Sequence, residues 1–296
     1  MSFQSYSESR VQLINSYLDG TLQKYRSGVS QRFAPLIDAM QYSLEGGGKR
    51  LRPLLLLASA ECLGISAQDV LPAACAIEFV HTYSLIQDDL PAMDDDDFRR
   101  GKPANHKKFG EAVSLLASDA LLTEAFGQLH KLADSKRFES KHVLAAMELL
   151  VNHSGLRGML GGQLLDVTTE HPNYSLPEIE FIHIHKTGAM IVASILLPAR
   201  LILVEDSRLS RLRRYGEAVG LAFQISDDLL DTEASLRYSR GPRKKPKPSY
   251  TQLMSPAEMK TKMNGLVDAA IQAVEGEGSR AKALIDIAEF IRTRKN

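Results

Sequence analysis

The sequence predicts an all-α protein, and three observations carry that prediction. A 3.6-residue apolar period runs through nearly every segment, and two-residue alternation hardly appears. Helix-opening signals of the Ser-x-x-Asp/Glu kind stand ahead of several of the apolar runs. No stretch of linker composition separates two cores, so residues 1–296 are expected to form a single-domain helical bundle. That length is enough to bury a substantial core.

Taken in order, Ser5 to about Tyr42 reads as two helices parted near Gly28–Ser30. A glycine turn, Glu45-Gly46-Gly47-Gly48-Lys49-Arg50-Leu51-Arg52-Pro53, then enters the apolar run Leu54–Ala60. Ser66 with Asp69 resembles a capping box and opens a helix from about Ala67 to Asp89. Pro72 is tolerable in its first two turns, and Pro91 is its stop. Helices follow from about Glu111 to Leu132 and from Ser140 to about Asp166. The second of these carries Gly155, Gly158, Gly161 and Gly162. Each glycine weakens a helix by about 1 kcal/mol relative to alanine, so their use lies in letting a backbone or a ligand come close. The capping box Ser175–Glu178 starts a helix to about His185, Thr187-Gly188 marks a kink, and helix resumes to about Leu203. Leu209–Asp231 is another long helix. Thr232–Thr251, rich in proline and carrying Arg240, Arg243, Lys244, Lys245 and Lys247, reads as a basic loop. Ser255-Pro256-Ala257-Glu258 is a capping box with proline at the first helical position, and two amphipathic helices broken near Gly276–Gly278 close the chain.

The charge balance bounds the partners. With 36 basic and 36 acidic residues the net charge is zero, so no global field draws the chain to nucleic acid or to an anionic membrane. Cys62 and Cys75 lie in apolar helical patterns and read as buried small hydrophobes, in keeping with a reducing cytosol. The N-terminal residues lack a charged stretch followed by an apolar one, and the most apolar run, Ile191–Val204, is interrupted by Pro198 and Arg200. A soluble, cytoplasmic protein without membrane insertion is expected.

Charge is instead concentrated locally. In Asp88-Asp89-Leu90-Pro91-Ala92-Met93-Asp94-Asp95-Asp96-Asp97, six of ten side chains are carboxylates. An acidic run is ordinarily a solvated loop. Here it follows a long apolar helix, contains a helix stop, and has a second Asp-Asp-x-x-Asp downstream at Asp227, Asp228 and Asp231. Carboxylates so crowded repel one another unless a cation joins them, and Mg²⁺ takes carboxylate oxygens while bridging to substrate phosphates. Asp227 and Asp231 share a helix face, which Gln224 joins. Asp94 stands six residues after Asp88, so the chain must bend at Pro91 to bring the two together. His81, Ser84 and Asp88 follow helical spacing on one face. Cations for the phosphates come from Lys49 and Arg52 about the glycine turn, from Arg99 and Arg100, and from Lys186 and Lys247.

The strings Gly46-Gly47-Gly48-Lys49-Arg50-Leu51-Arg52-Pro53, Asp88-Asp89-Leu90-Pro91-Ala92-Met93-Asp94 with Arg99-Arg100-Gly101, Gly161-Gly162-Gln163 with Asp166, Lys186-Thr187, and Phe223-Gln224-Ile225-Ser226-Asp227-Asp228-Leu229-Leu230-Asp231 resemble the trans-isoprenyl diphosphate synthases. The pattern is most similar to that of the bacterial farnesyl diphosphate synthases. The resemblance spans the chain in order. It implies an all-α bundle of isoprenoid synthase type around a central substrate cavity, usually a homodimer, with three Mg²⁺ ions holding an allylic diphosphate.

By that resemblance Asp88, Asp94 and Asp227 hold metal, supported by Asp89, Asp228 and Asp231. Arg99, Lys186 and Lys247 grip the allylic diphosphate. Lys49, Arg52, His81 and Arg100 bind isopentenyl diphosphate, and Thr187 and Gln224 face the developing carbocation. The implied reaction condenses isopentenyl diphosphate with dimethylallyl and geranyl diphosphate and releases pyrophosphate. Tyr83 and Ser84 lie roughly 6–8 Å down the helix from Asp88 at 1.5 Å per residue. In the family, bulk there limits product length, so Tyr83 points to the C15 product, although it could equally be an ordinary packed aromatic. Pro246 stands where the family usually has glycine, so Lys244 or Lys245 could take the place of Lys247.

Other readings remain at this point. A geranyl or geranylgeranyl diphosphate synthase fits the same motifs. A class I terpene cyclase has no use for the second basic set, and a silent regulatory subunit would have lost carboxylates from one motif. A helical Ca²⁺-binding or scaffold protein would release no pyrophosphate.

Overall fold

The computed structural model describes residues 3–168, 174–237 and 248–294. These residues are overwhelmingly helical, as the periodicity predicts, and they form two compact units.

The first unit comprises Met1–Leu57 and Ser66–Val143. It contains α1 (Phe3–Gly28), α2 (Ala34–Glu45), the first turns of α3 (Leu51–Cys62), α4 (Leu71–Asp89), α5 (Asn105–Phe109) and α6 (Glu111–Asp134). Helix α4 is its centre and packs against α1, α2 and α6. Residues Ala73 to Val80 are buried without a break, so this helix has no solvent face and lacks the amphipathic stripe of a surface helix. It starts at Leu71 rather than Ala67. Pro72 lacks an N–H and takes an opening position. Ser66 therefore caps only the short 3₁₀ turn Ala67–Val70, accepting from the Gln68 amide at 3.3 Å.

Two elements here escaped the sequence reading. A minimal hairpin pairs β1 (Phe98–Arg99) with β2 (Lys102–Pro103), Arg99 opposite Lys102. Its turn residues, Arg100 and Gly101, both have positive φ, at 53° and 77°, as a two-residue hairpin turn of the mirror-image kind requires. Helix α5 follows at once. Its Asn105 ties three elements together, donating to the Ala39 carbonyl at 2.8 Å and accepting from Ser114 Oγ at 2.7 Å.

The second unit comprises Ala58–Ile65 and Leu144–Asn296. Its helices are most of α7 (Ser140–Ser154), then α8 (Met159–Thr168), α9 (Leu176–His183), α10 (Ala189–Leu201), α11 (Asp206–Arg237), α12 (Pro256–Val274) and α13 (Lys282–Thr293). The single helix expected from Ser140 to Asp166 is two, broken where Gly155 and Gly158 follow each other within a turn. The kink expected at Thr187-Gly188 is a turn of π-helix, Ile184–Gly188, joining α9 to α10. Both remaining capping boxes form. Glu178 accepts from the Ser175 amide at 2.8 Å, and Glu258 from the Ser255 amide at 2.8 Å.

Helix α11 packs against α10 and α12 and extends past the expected end at Asp231 to Arg237, because no glycine or proline occurs before Gly241. The acidic motif is thus inside a helix and not at its C-terminus. Leu176–Leu201 is long and apolar enough to cross a membrane by length and composition, but 72% of its most apolar window is buried, as in a core helix. Both cysteines are free and buried, and burial pushes the Cys62 thiol up to about 11 and Cys75 higher still. Such thiols are inert.

Candidate active site

On the first unit the acidic cluster is built by the end of α4. Leu90 is forced extended (φ −61°, ψ 150°) by the proline after it, and the chain turns sharply. The Met93 amide donates to the Leu90 carbonyl at 2.8 Å, and the Asp94 amide to the Asp88 carbonyl at 2.9 Å. The bend at Pro91 therefore returns Asp94 to Asp88. Both side chains are part-exposed, whereas Asp89 between them in sequence is buried at 2%. Asp89 accepts from Arg99 Nε at 2.9 and 3.2 Å and from Arg99 Nη2. Burial raises the Asp89 carboxyl above the usual range, and the Arg99 hydrogen bonds oppose that rise. Asp96 lies 3.5 Å from Arg99 and Asp97 2.8 Å from Lys107 Nζ, so the tail of the cluster is held by local cations.

The glycine turn is anchored by a residue the sequence reading passed over. Arg50 sits at φ 48° with its side chain buried. It donates to Asn15 Oδ1 on α1 at 3.0 Å, to Glu78 Oε1 on α4 at 2.6 Å and to the Leu44 carbonyl on α2. This buried pair fixes the turn that carries Lys49 and Arg52; its sequence signal is the second of three basic residues after three glycines. Arg100 closes the turn from the other side, donating from Nη1 to the Gly47 carbonyl. Gly48 sits at φ 131°, a backbone conformation that favours glycine, with the Arg100 guanidinium packed against it.

Arg52 Nη1 stands 3.4 Å from His81 Nε2. Guanidinium can only donate, so Nε2 accepts and the imidazole proton is on Nδ1. Burial, then the charges of Arg52, Arg100, Arg50 and Arg99, hold His81 well below the usual histidine range. Four guanidiniums acting on one neutral imidazole make a field suited to a polyanion. Next along α4, Ser84 Oγ donates to the His81 carbonyl at 2.9 Å. Tyr83 is buried at 4%, and burial followed by Asp119 and Asp88 raises its pKa.

On the second unit α11 presents Gln224, Asp227, Asp228 and Asp231. Asp227 and Asp231 are exposed or nearly so, and Asp228 is buried. Asp227 accepts from Arg294, beyond the end of α13, whose guanidinium also donates to Ser226 Oγ at 2.7 Å and to the Phe223 carbonyl at 3.0 Å. Lys186, in the π turn, pairs through Nζ with Asp166 Oδ2. A Cβ on Gly162 would lie 2.3 Å from the Lys186 amide nitrogen, so α8 and the π turn are in backbone contact. Half-buried Thr187 is next in the same turn. Lys247, with Lys244 and Lys245, lies outside the described residues.

The polyprenyl synthetase family pattern matches residues 34–241. The chain belongs to the polyprenyl synthetase family. The farnesyl diphosphate synthase of Micrococcus luteus is 47% identical over 222 residues, covering 75% of this chain and 74% of that protein. The farnesyl diphosphate synthase of Geobacillus stearothermophilus is 45% identical over 266 residues, covering 88% of this chain and 89% of that protein. In structure, the geranyltransferase of Legionella pneumophila superposes with a TM-score of 0.88 at 31% identity, covering 98% of this chain and 96% of that one.

In this polyprenyl synthetase the donor chemistry fits Mg²⁺. Among the described residues no three His, Cys, Asp or Glu side chains converge as a ready-made metal cage. Mg²⁺ needs none, because it binds through one or two carboxylates and takes water and substrate phosphate for its other positions. Asp88 with Asp94 on the first unit and Asp227 with Asp231 on the second offer such part-exposed carboxylates. Sequence reasoning assigned no role to Arg50, Glu78, Ser249, Tyr250 or Arg294, all of which act on neighbouring side chains.

Proposed function

We propose that this polyprenyl synthetase is a farnesyl diphosphate synthase, condensing isopentenyl diphosphate with dimethylallyl and then geranyl diphosphate. In each round the allylic C–O bond breaks, a C–C bond forms to the isopentenyl double bond, and one proton is lost. The observation that carries the proposal is His81: a neutral imidazole among four guanidiniums, beside a glycine turn with Lys49 and Arg52. That arrangement serves a second diphosphate, apart from the one an acidic motif would take through metal, and a condensing enzyme needs two.

When bound, Mg²⁺ supplies the charge that stabilises departing pyrophosphate, and about three ions are expected, as the family resemblance implies. Asp88, Asp94, Asp227 and Asp231 hold it. Asp89 keeps Arg99 extended along the end of α4, where its remaining donors serve phosphate oxygens. Lys49, Arg52 and Arg100 fix the isopentenyl diphosphate, with His81 donating from Nδ1. Lys186 grips the allylic diphosphate, helped by Lys247, and Asp166 steers its ammonium. Thr187 and Gln224 turn their oxygens towards the developing cation. No side-chain nucleophile takes part; the work is positioning and electrostatics. Tyr83 bounds the product at fifteen carbons. We further propose a homodimer in the cytoplasm, with the exposed leucines Leu115 and Leu116 of α6 as available apolar surface.

The test is incubation with dimethylallyl and isopentenyl diphosphates and Mg²⁺, with chromatography of the dephosphorylated products and a pyrophosphate assay. A C15 alcohol is expected. Asp88→Ala is expected to lower pyrophosphate release by about a hundred- to a thousandfold, on the scale of losing an electrostatic stabiliser of the transition state. Near-normal turnover of that variant would remove Asp88 from the metal site.

A further inference from the structure

We infer that Asp228 is a positioning residue for Gln224 and not a metal ligand, and that Ser249 and Tyr250 hold it in that role. The inference rests on the prenyl synthase reading and assigns one of its carboxylates a different task.

Asp228 is 9% exposed, whereas Asp227, one residue earlier, has a side chain 43% exposed. Successive helical residues point about 100° apart, so one carboxylate of the pair is directed outward and the other into the protein. Both inward oxygens are occupied. Oδ1 accepts from Gln224 Nε2 at 3.0 Å, and Oδ2 accepts from Ser249 Oγ at 2.9 Å and from the Tyr250 amide at 2.8 Å. Three of the carboxylate's roughly four lone-pair sites are thus taken. A metal ion at Oδ2 would have to displace charge-assisted hydrogen bonds, which are the strong kind, and one at Oδ1 would have to share that oxygen with Gln224.

The contact with Gln224 has a direction that chemistry dictates. An ionised carboxylate only accepts, and a primary amide has one donor end and one acceptor end. Reversing the amide would set oxygen against oxygen at the same separation. Asp228 therefore takes the NH₂ end of Gln224 and leaves Oε1 directed away from it. A carbonyl dipole so fixed is suited to positive charge that develops during reaction, and it needs no reorganisation to act.

Asp228 is itself locked. Tyr250 begins the 3₁₀ turn Tyr250–Gln252, and Ser249 caps it, accepting from the Thr251 amide at 3.3 Å while donating to Asp228. Tyr250 is fully buried, with its ring 5.3 Å from that of His183. The chain from Gln224 through Asp228 to Ser249 and Tyr250 is thus continuous, with Asp228 and Tyr250 buried and Gln224 and Ser249 part-buried, and it ends on a side chain proposed to face the reacting carbon.

The test uses the full chain and steady-state product formation from dimethylallyl and isopentenyl diphosphates across a Mg²⁺ titration. Asp228→Asn can donate as well as accept, so it releases the Gln224 amide. It is expected to lower kcat by about tenfold or more, as loss of an orienting partner does, with the Mg²⁺ midpoint within about twofold of wild type. Ser249→Ala, a mild change away from every proposed ligand, is expected to lower kcat in the same direction with the midpoint unmoved. The double variant should be no slower than Asp228→Asn alone, because both act on one unit. Asp227→Asn is the contrasting control and should raise the midpoint by about tenfold or more. A midpoint that rises in Asp228→Asn as it does in Asp227→Asn overturns the inference, and so does a Ser249→Ala enzyme with wild-type kcat. A wild-type chain that forms no prenyl product at all removes instead the reading on which the inference rests.

Discussion

Asp88 and Asp89 are the same residue type one position apart, and their surroundings separate their work. Asp88 is part-exposed and near the returning Asp94 amide, whereas Asp89 is buried against Arg99. Asp227 and Asp228 repeat the division on α11, outward and inward. In both motifs the doubled aspartate is one ligand candidate and one structural acceptor, which a count of carboxylates in the sequence does not reveal. The same caution applies to Tyr83. Its burial agrees with a wall beneath the metal-binding turn and equally with ordinary packing against α6, so a substitution has to decide. Tyr83→Ala is expected to shift the main product from C15 to C20 or longer, read by chromatography of the dephosphorylated alcohols. It is also expected to cost about 3–5 kcal/mol of stability, the range for emptying a buried aromatic site, read from the urea midpoint. Loss of stability with an unchanged C15 product would make Tyr83 a packing residue and place the length limit on another side chain.

At the scale of elements, the helices were legible wherever a local signal sets them. The Ser175 and Ser255 capping boxes, the proline stop at Pro91 and the break near Gly276–Gly278 all mark helix ends as read. The pieces missed depend on partners distant in sequence or on very short spans. The hairpin around Arg100-Gly101 has only two paired residues per strand, too few for any periodicity. The π turn was legible only as a kink, because its extra residue is held by packing of α8, α9 and α11 around it. Turns of this kind are frequent at functional sites, and here it carries Lys186 and Thr187. Gly162 is the element-level key to it, since a Cβ there meets the Lys186 amide nitrogen at 2.3 Å and the His185 Cβ at 2.8 Å. Gly162→Ala would therefore push α8 from the π turn and separate Asp166 from Lys186. The expected cost is about 1–3 kcal/mol, as for overpacking elsewhere. A raised KM for the allylic substrate should accompany it, with the KM for isopentenyl diphosphate unchanged. An equal rise in both would show that the π turn does not serve one diphosphate alone.

At the scale of the whole molecule, zero net charge keeps general self-repulsion small near neutrality, so pH acts first through particular groups. His81, His153 and His183 all titrate below the usual histidine range, in each case chiefly through burial. Guanidinium charge adds to the effect at His81, from Arg52 first, and at His153, where the Leu149 carbonyl opposes it. At His183 the charge of Asp228 opposes it. The sign follows from linkage. A histidine whose folded pKa is depressed binds its proton more readily when unfolded, so the stability it contributes is present above the unfolded value of about 6.5 and is lost as pH falls below it. Urea midpoints measured from pH 7.5 down to pH 5.5 should therefore decline, with most of the loss below about 6.5. Bound pyrophosphate with Mg²⁺ should flatten that decline, because an anion among Arg52, Arg100 and Lys49 offsets the field that keeps His81 neutral. If His81→Asn declines with the same slope as wild type, and pyrophosphate leaves both slopes unchanged, then His81 does not sense that anion, and the second diphosphate site must be sought elsewhere on the chain.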